Sequence, residues 1–167
     1  MNEDIKFSRF IGFTTLLMCL IVVILALMAA IAQNENATNI IYVDDGNGVK
    51  LDIPKSNVVT EHVNIKKDIK AGEHTLTIDV RVPKINLNKA AAEIINEKIY
   101  NEYQELYSYA LSITNDEYIT LDYSYDYLND DTILEIIISK KSVVDKKETS
   151  QNITYKYDIV NNTYTVE

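Results

Sequence analysis

Sulfur and tryptophan are nearly missing from this chain. Its 167 residues include one cysteine, Cys19, and no tryptophan. A single thiol cannot close an internal disulfide, so the fold must hold by core burial alone. Glycine occurs four times, in no phosphate-cradling loop, and Gly-x-Ser-x-Gly is absent. Phosphate-loop and nucleophile-elbow chemistry therefore have no foothold here. Histidine occurs twice, at His62 and His74. Beside Glu61 and Glu73 they form the one imidazole–carboxylate set that suits zinc, but two polar residues near strand ends read better as surface. No metal, cofactor or catalytic residue is expected. Positive charge is also scarce, with 16 Lys and Arg against 25 Asp and Glu and a net charge of −9. From Gln33 onward the balance is 14 to 23, so the excess lies in that part. Such a surface disfavours nucleic acid and anionic polymers and favours cationic partners, although the simpler reading is that the acidity keeps a tethered domain soluble.

What is present begins with an apolar run. Phe10 to Ala32 is 23 residues without a charge. A helix of that length spans about 34 Å at 1.5 Å per residue, enough for a bilayer core. Lys6 and Arg9 precede it and the next basic residue is Lys50. The positive-inside rule then predicts a single-pass cell-membrane protein with a cytoplasmic N-terminus and an extracellular C-terminal domain. Ala30-Ile31-Ala32 has the small-x-small form of a signal-peptidase site, so secretion after cleavage at Ala32 is the alternative. Cys19 lies mid-run after Leu17-Met18, without the small residue a lipoprotein site needs, and reads as a buried thiol. The expected division is a tail over 1–9, a transmembrane helix over 10–32, a linker with a short hairpin over 33–59, and a domain over 60–167.

Within the linker, Ile40-Ile41-Tyr42-Val43 and Val49-Lys50-Leu51-Asp52-Ile53 flank Asp44-Asp45-Gly46-Asn47-Gly48, a turn signal. The adjacent acids, and Lys55 at the twelfth position, argue against a calcium loop. Val63, Ile65 and Ile69, then Leu76, Ile78, Val80 and Val82, alternate with polar residues around Ala71-Gly72 and predict a hairpin ending at Pro83. Asn88 is the expected N-cap of a helix whose stripe is Ala92, Ile95, Ile99, Tyr103, Leu106 and Ala110. Strands over Ile119–Tyr127, Thr132–Val144 and Ile153–Ile159 follow, with Asn161-Asn162 turning into a terminal edge piece. The expected class is α+β: a ββαβββ domain with one long helix packed on an antiparallel sheet.

Val82-Pro83-Lys84-Ile85, then Ile94-Ile95-Asn96-Glu97-Lys98-Ile99, and later Tyr155-Lys156-Tyr157-Asp158-Ile159 before an Asn-rich turn, carry a family likeness. The stretch from Glu61 to Asn162 resembles the N-terminal domain of PdaC-type peptidoglycan deacetylases and the outer domain of lysozyme-sensing anti-sigma factors. The resemblance implies that fold and a bacterial cell-envelope setting. Family members often carry a Gly-Gly-Ala-His-like turn where this chain has Asp145-Lys146-Lys147-Glu148-Thr149-Ser150-Gln151, so that turn's role does not transfer. The resemblance is therefore expected to carry over the fold and the setting, but not a complete enzyme or regulator.

Tyrosine is the one abundant resource, with 12 residues. Tyr123, Tyr125, Tyr155 and Tyr157 are the candidate ligand-binding residues, able to stack on sugar rings or anchor a protein partner. Because they share a face with Ile and Leu, cross-strand ladders are the better reading of these residues. Tyr100 and Tyr107 on the helix are weaker candidates, and Asp122 and Asp126 read as a solvated face. The expected function is a non-catalytic, membrane-anchored binding or sensing domain for a wall glycan such as peptidoglycan or for a cationic protein. A structural or assembly role beside another membrane protein is the alternative, followed by an accessory to a wall-modifying enzyme.

Overall fold

The computed structural model describes Met18 and residues 20–28, 39–44 and 49–167. The chain divides into two compact units, Met1–Ile40 and Ile41–Glu167. In the first, residues 20–28 are helical (α1) and exposed. Among the described residues no helix is long and apolar enough to cross a membrane. The expected single-pass anchor, and the membrane localisation built on it, are corrected accordingly. The 1–9 tail, Cys19, the Ala30–Ala32 cleavage site and residues 45–48 of the expected turn lie outside the described residues.

The second unit is mostly β. β1 (Ile40–Asp44) and β2 (Lys50–Pro54) form a two-stranded sheet, followed by a single helical turn, α2 (Lys55–Val58). A six-stranded sheet then runs in sequence order: β3 (Val59–Ala71), β4 (His74–Ile85), β5 (Glu117–Leu128), β6 (Ile133–Val144), β7 (Lys147–Asp158) and β8 (Thr163–Val166). Helix α3 (Ala90–Ala110) lies between β4 and β5 in the chain. The expected α+β ββαβββ domain on an antiparallel sheet is corrected on two counts. Four strands follow the helix, because Thr163–Val166 pairs with β7 as a strand of its own. The sheet is also mixed, because β4 and β5 pair in parallel. The reason is geometric: 21 helical residues carry the chain about 32 Å back along β4, so the next adjacent strand must run the same way.

Strand alternation decides which face is buried. Leu76, Ile78, Val80 and Val82 of β4, Ile119 and Leu121 of β5, and Leu134, Ile136 and Ile138 of β6 are all buried. They meet Ala92, Ile95, Ile99, Leu106 and Ala110 of α3 in one core, to which Ile41 and Val43 also belong. Each fully buried aliphatic side chain is worth about 1.5–3 kcal/mol relative to exposure. The opposite face of the sheet carries Asn64, Lys66, Asp79, Arg81, Thr120, Asp122, Ser124, Ser139 and Lys141, and stays half or fully exposed. An antiparallel-type sheet solvated on one side has this pattern.

Two local expectations also change. β4 continues through Pro83 to Ile85, with a bulge in β3 between Glu61 and Val63 opposite the proline. Proline has no N–H for a ladder, and a bulge is where a strand tolerates that loss. The helix N-cap is Lys89, not Asn88, and makes no side-chain capping bond. The missing acceptor comes from Asn162, whose Oδ1 accepts from the Ala91 N–H at 3.2 Å.

Candidate functional site

The parallel ladder between β4 and β5 stops at Val80–Leu121, while β4 runs on to Ile85 and β5 to Leu128. The two strands therefore diverge and open a wedge at their carboxyl ends. In open sheets with such crossovers, ligands favour the crevice where neighbouring strands part. Arg81 and Asp122 stand at its apex, one residue beyond the last pair. Arg81 Nη2 reaches Asp122 Oδ1 at 2.7 Å and Oδ2 at 2.8 Å. The guanidinium also lies 5.9 Å from the centroid of the Tyr123 ring. Both charged groups are about half exposed, so the pair orients donors and acceptors more than it stabilises the fold. The Arg81 hydrogen bond, ahead of the cost of burial, holds the Asp122 carboxyl below its ordinary range, and it is ionised at neutral pH. Beside the apex, Thr120, Asp122, Tyr123, Ser124, Ser139 and Lys141 line a shallow depression of about 370 Å³. Its hydroxyl-bearing floor exists because short Thr and Ser side chains stand between longer charged ones.

The four sequence-predicted tyrosines separate into two pairs. Tyr123 is half-buried at the wedge, and Tyr125, next on the same face of β5, is 41 % exposed. Tyr155 and Tyr157 are 3 % and 0 % exposed and fill the core under α3. The register nevertheless aligns the two strands: Tyr125 pairs with Ile136, and Ile136 with Tyr155. Burial pushes the Tyr157 phenol up to about 12. Tyr127, the next ring along β5, packs edge-on to Tyr125 with centroids 6.2 Å apart. Its hydroxyl donates to the Lys55 carbonyl at 3.1 Å, and Lys55 pairs with Asp131 at 2.7 Å. Thus α2 is held at the wide end of the wedge, with Tyr125 between it and the apex.

The open face carries further charge pairs. Lys66 meets Asp79 at 3.0 Å, which also accepts from the Tyr118 hydroxyl at 3.0 Å, and Lys156 meets Glu167 at 2.7 Å. Asp126 and Glu135 stand directly opposite each other across β5 and β6. The two histidines do not converge. His62 sits in the β3 bulge with its ring 5.7 Å from Tyr100, whereas His74 lies at the far, turn end of the hairpin, opposite Ala71. Among the described residues no group of three or more His, Cys, Asp or Glu is placed to hold a metal.

A second aromatic grouping was only partly legible in the sequence. Tyr100, Tyr103 and Tyr107 follow one another along α3 with centroids 5.6 and 5.5 Å apart. Three- and four-residue spacing signals that row. The link to His62 and to Lys67, whose Nζ lies 4.4 Å from the Tyr107 centroid, comes from β3 lying beside the helix.

No family model matches the chain, and no curated protein matches its sequence.

Proposed function

We propose that this protein is a non-catalytic binding module that holds a glycan in the wedge between β4 and β5. The observation that carries the reading is the position of the Tyr123 ring beside the Arg81–Asp122 pair and the hydroxyl-floored depression. A sugar presents an apolar C–H face and a rim of hydroxyls. Tyrosine stacks on the former, while a carboxylate, a guanidinium and short hydroxyl side chains bond the latter. The resemblance to a peptidoglycan-associated domain supports a wall glycan as the ligand.

Calorimetry of the full chain with soluble peptidoglycan fragments tests this. Tyr123→Ala and Asp122→Ala should each weaken binding about tenfold, the order of one lost stacking or charged hydrogen-bond contact. Tyr155→Phe should leave affinity unchanged. Absence of binding by the wild-type chain, or full affinity in Tyr123→Ala, would remove the reading.

A cationic protein is the second reading, favoured by the like-charged Asp126 and Glu135 facing each other on the open sheet face. A basic side chain placed beside them relieves repulsion that Lys156, opposite Glu135 on β7 and shared with Glu167, offsets only in part. Binding of a basic protein should then weaken steeply with added salt and be blunted by Glu135→Gln. Salt-independent binding would argue against it.

A further inference from the structure

We propose that Tyr103 and Tyr107 form an oxidative modification site, coupling ring to ring into a dityrosine staple along one face of α3. The two residues are one helical turn apart. Their hydroxyl oxygens lie 2.8 Å from each other, and their rings are 5.5 Å apart at 82°. Ortho–ortho coupled phenols hold their hydroxyls side by side and their rings twisted, so the native pair already approximates the product. Coupling therefore demands little of the backbone.

Three further observations converge on this pair. Residues 41–167 contain no Cys, Met or Trp, so tyrosine is the most readily oxidised side chain in that unit. Tyr107 is partly exposed, and Lys67 stands with its ammonium over the ring. Hydrogen bonding from Lys67, then from Tyr103, lowers the pKa of the Tyr107 phenol, which favours its loss of a proton on oxidation. Burial, then the bond to Tyr107, raises Tyr103 to about 12, so Tyr103 keeps its proton. The Tyr125–Tyr127 pair lacks this arrangement: its rings are 6.2 Å apart and the Tyr127 hydroxyl is committed to Lys55.

The co-reactant is hydrogen peroxide activated by a haem peroxidase. Tyr107 loses one electron and its phenolic proton. The ortho carbon of the resulting radical bonds an ortho carbon of Tyr103. Loss of a second electron and proton, with the remaining ring hydrogen moving from carbon to oxygen, restores both aromatic phenols. Two C–H bonds break, one C–C bond forms, and the two electrons and two protons reduce one peroxide to two waters.

The experiment treats the full chain with peroxidase and a limiting amount of peroxide, followed by fragment mass spectrometry and dityrosine fluorescence. The expected product is one chain lighter by two hydrogens, with Tyr103 joined to Tyr107, at a yield independent of protein concentration. Tyr103→Phe and Tyr107→Phe should each lower that yield at least tenfold, while Tyr125→Phe leaves it unchanged. Circular dichroism on each variant confirms that the fold is retained, and denatured wild-type chain should lose the selectivity. Coupling that is chiefly intermolecular, that falls equally on Tyr100 or Tyr125, or that survives in folded Tyr107→Phe, would overturn the proposal.

Discussion

Tyr125 and Tyr157 show how little a residue's type says about its role. They have the same side chain on neighbouring rows of one sheet face, yet one is open to solvent and the other is sealed. Truncation should separate Tyr125 from true core positions. Ile136→Ala, at a fully buried site between Tyr125 and Tyr155, should cost about 2–5 kcal/mol through lost transfer energy and the cavity left behind. Tyr125→Ala should cost much less, since the exposed ring gives up little contact in the fold. Urea denaturation of the two variants checks the contrast, and equal losses would mean that Tyr125 belongs to the core.

At the scale of elements, the start of α3 depends on a distant turn. Lys89 offers no capping oxygen, and Asn162, in the β7–β8 turn at φ 53°, supplies it. Asn162→Ala should cost about 1–2 kcal/mol by removing the acceptor and forcing a β-carbon-bearing, non-Asx residue into left-handed backbone. Asn162→Gly removes the acceptor and relaxes the backbone, so it should cost less. Thermal melts rank the two, and a larger loss in the glycine variant would contradict the account. At the other side of the same helix, the Asn96 side chain accepts from Ile85 N–H at 2.7 Å and donates to Ile85 carbonyl at 2.9 Å. Asn96→Ala strands both backbone groups and should cost about 1–3 kcal/mol by the same measurement.

For the molecule as a whole, the many half- and fully-buried phenols make alkaline pH the direction of weakness. Tyr157 ionises at about 12 in the fold against an ordinary value of 10.0, and Tyr103 behaves alike. Burial raises Tyr155 and Tyr127 in the same direction. A group whose folded value lies above its unfolded one lends full stability below the unfolded value and loses it as pH climbs toward the folded one. Stability should therefore be flat to about pH 10 and fall through pH 12, with Tyr157→Phe shallower than wild type. A denaturation series at fixed ionic strength measures the slope, and an unchanged slope in the variant would dissociate Tyr157 from it.

Much of this architecture is written locally. The two-residue alternation from Leu76 to Val82 and the three-to-four spacing from Ala92 to Ala110 mark strand and helix because burial repeats with the backbone's own period. Those signals are carried by neighbours in sequence, and so are the net charge and the tyrosine abundance. The parallel pairing of β4 with β5, the wedge it opens, the transfer of the α3 cap to Asn162 and the burial of Tyr155 beside exposed Tyr125 have no such signal. Each depends on which elements lie side by side, a choice made by long-range packing of the whole core. For the apolar run over 10–32, where hydropathy predicts a membrane-length helix, Met18 and residues 20–28 are described and helical, and among the described residues no helix is long and apolar enough to cross a membrane. Composition and period thus decided what each segment is able to become, whereas only tertiary contact decided which side chains meet.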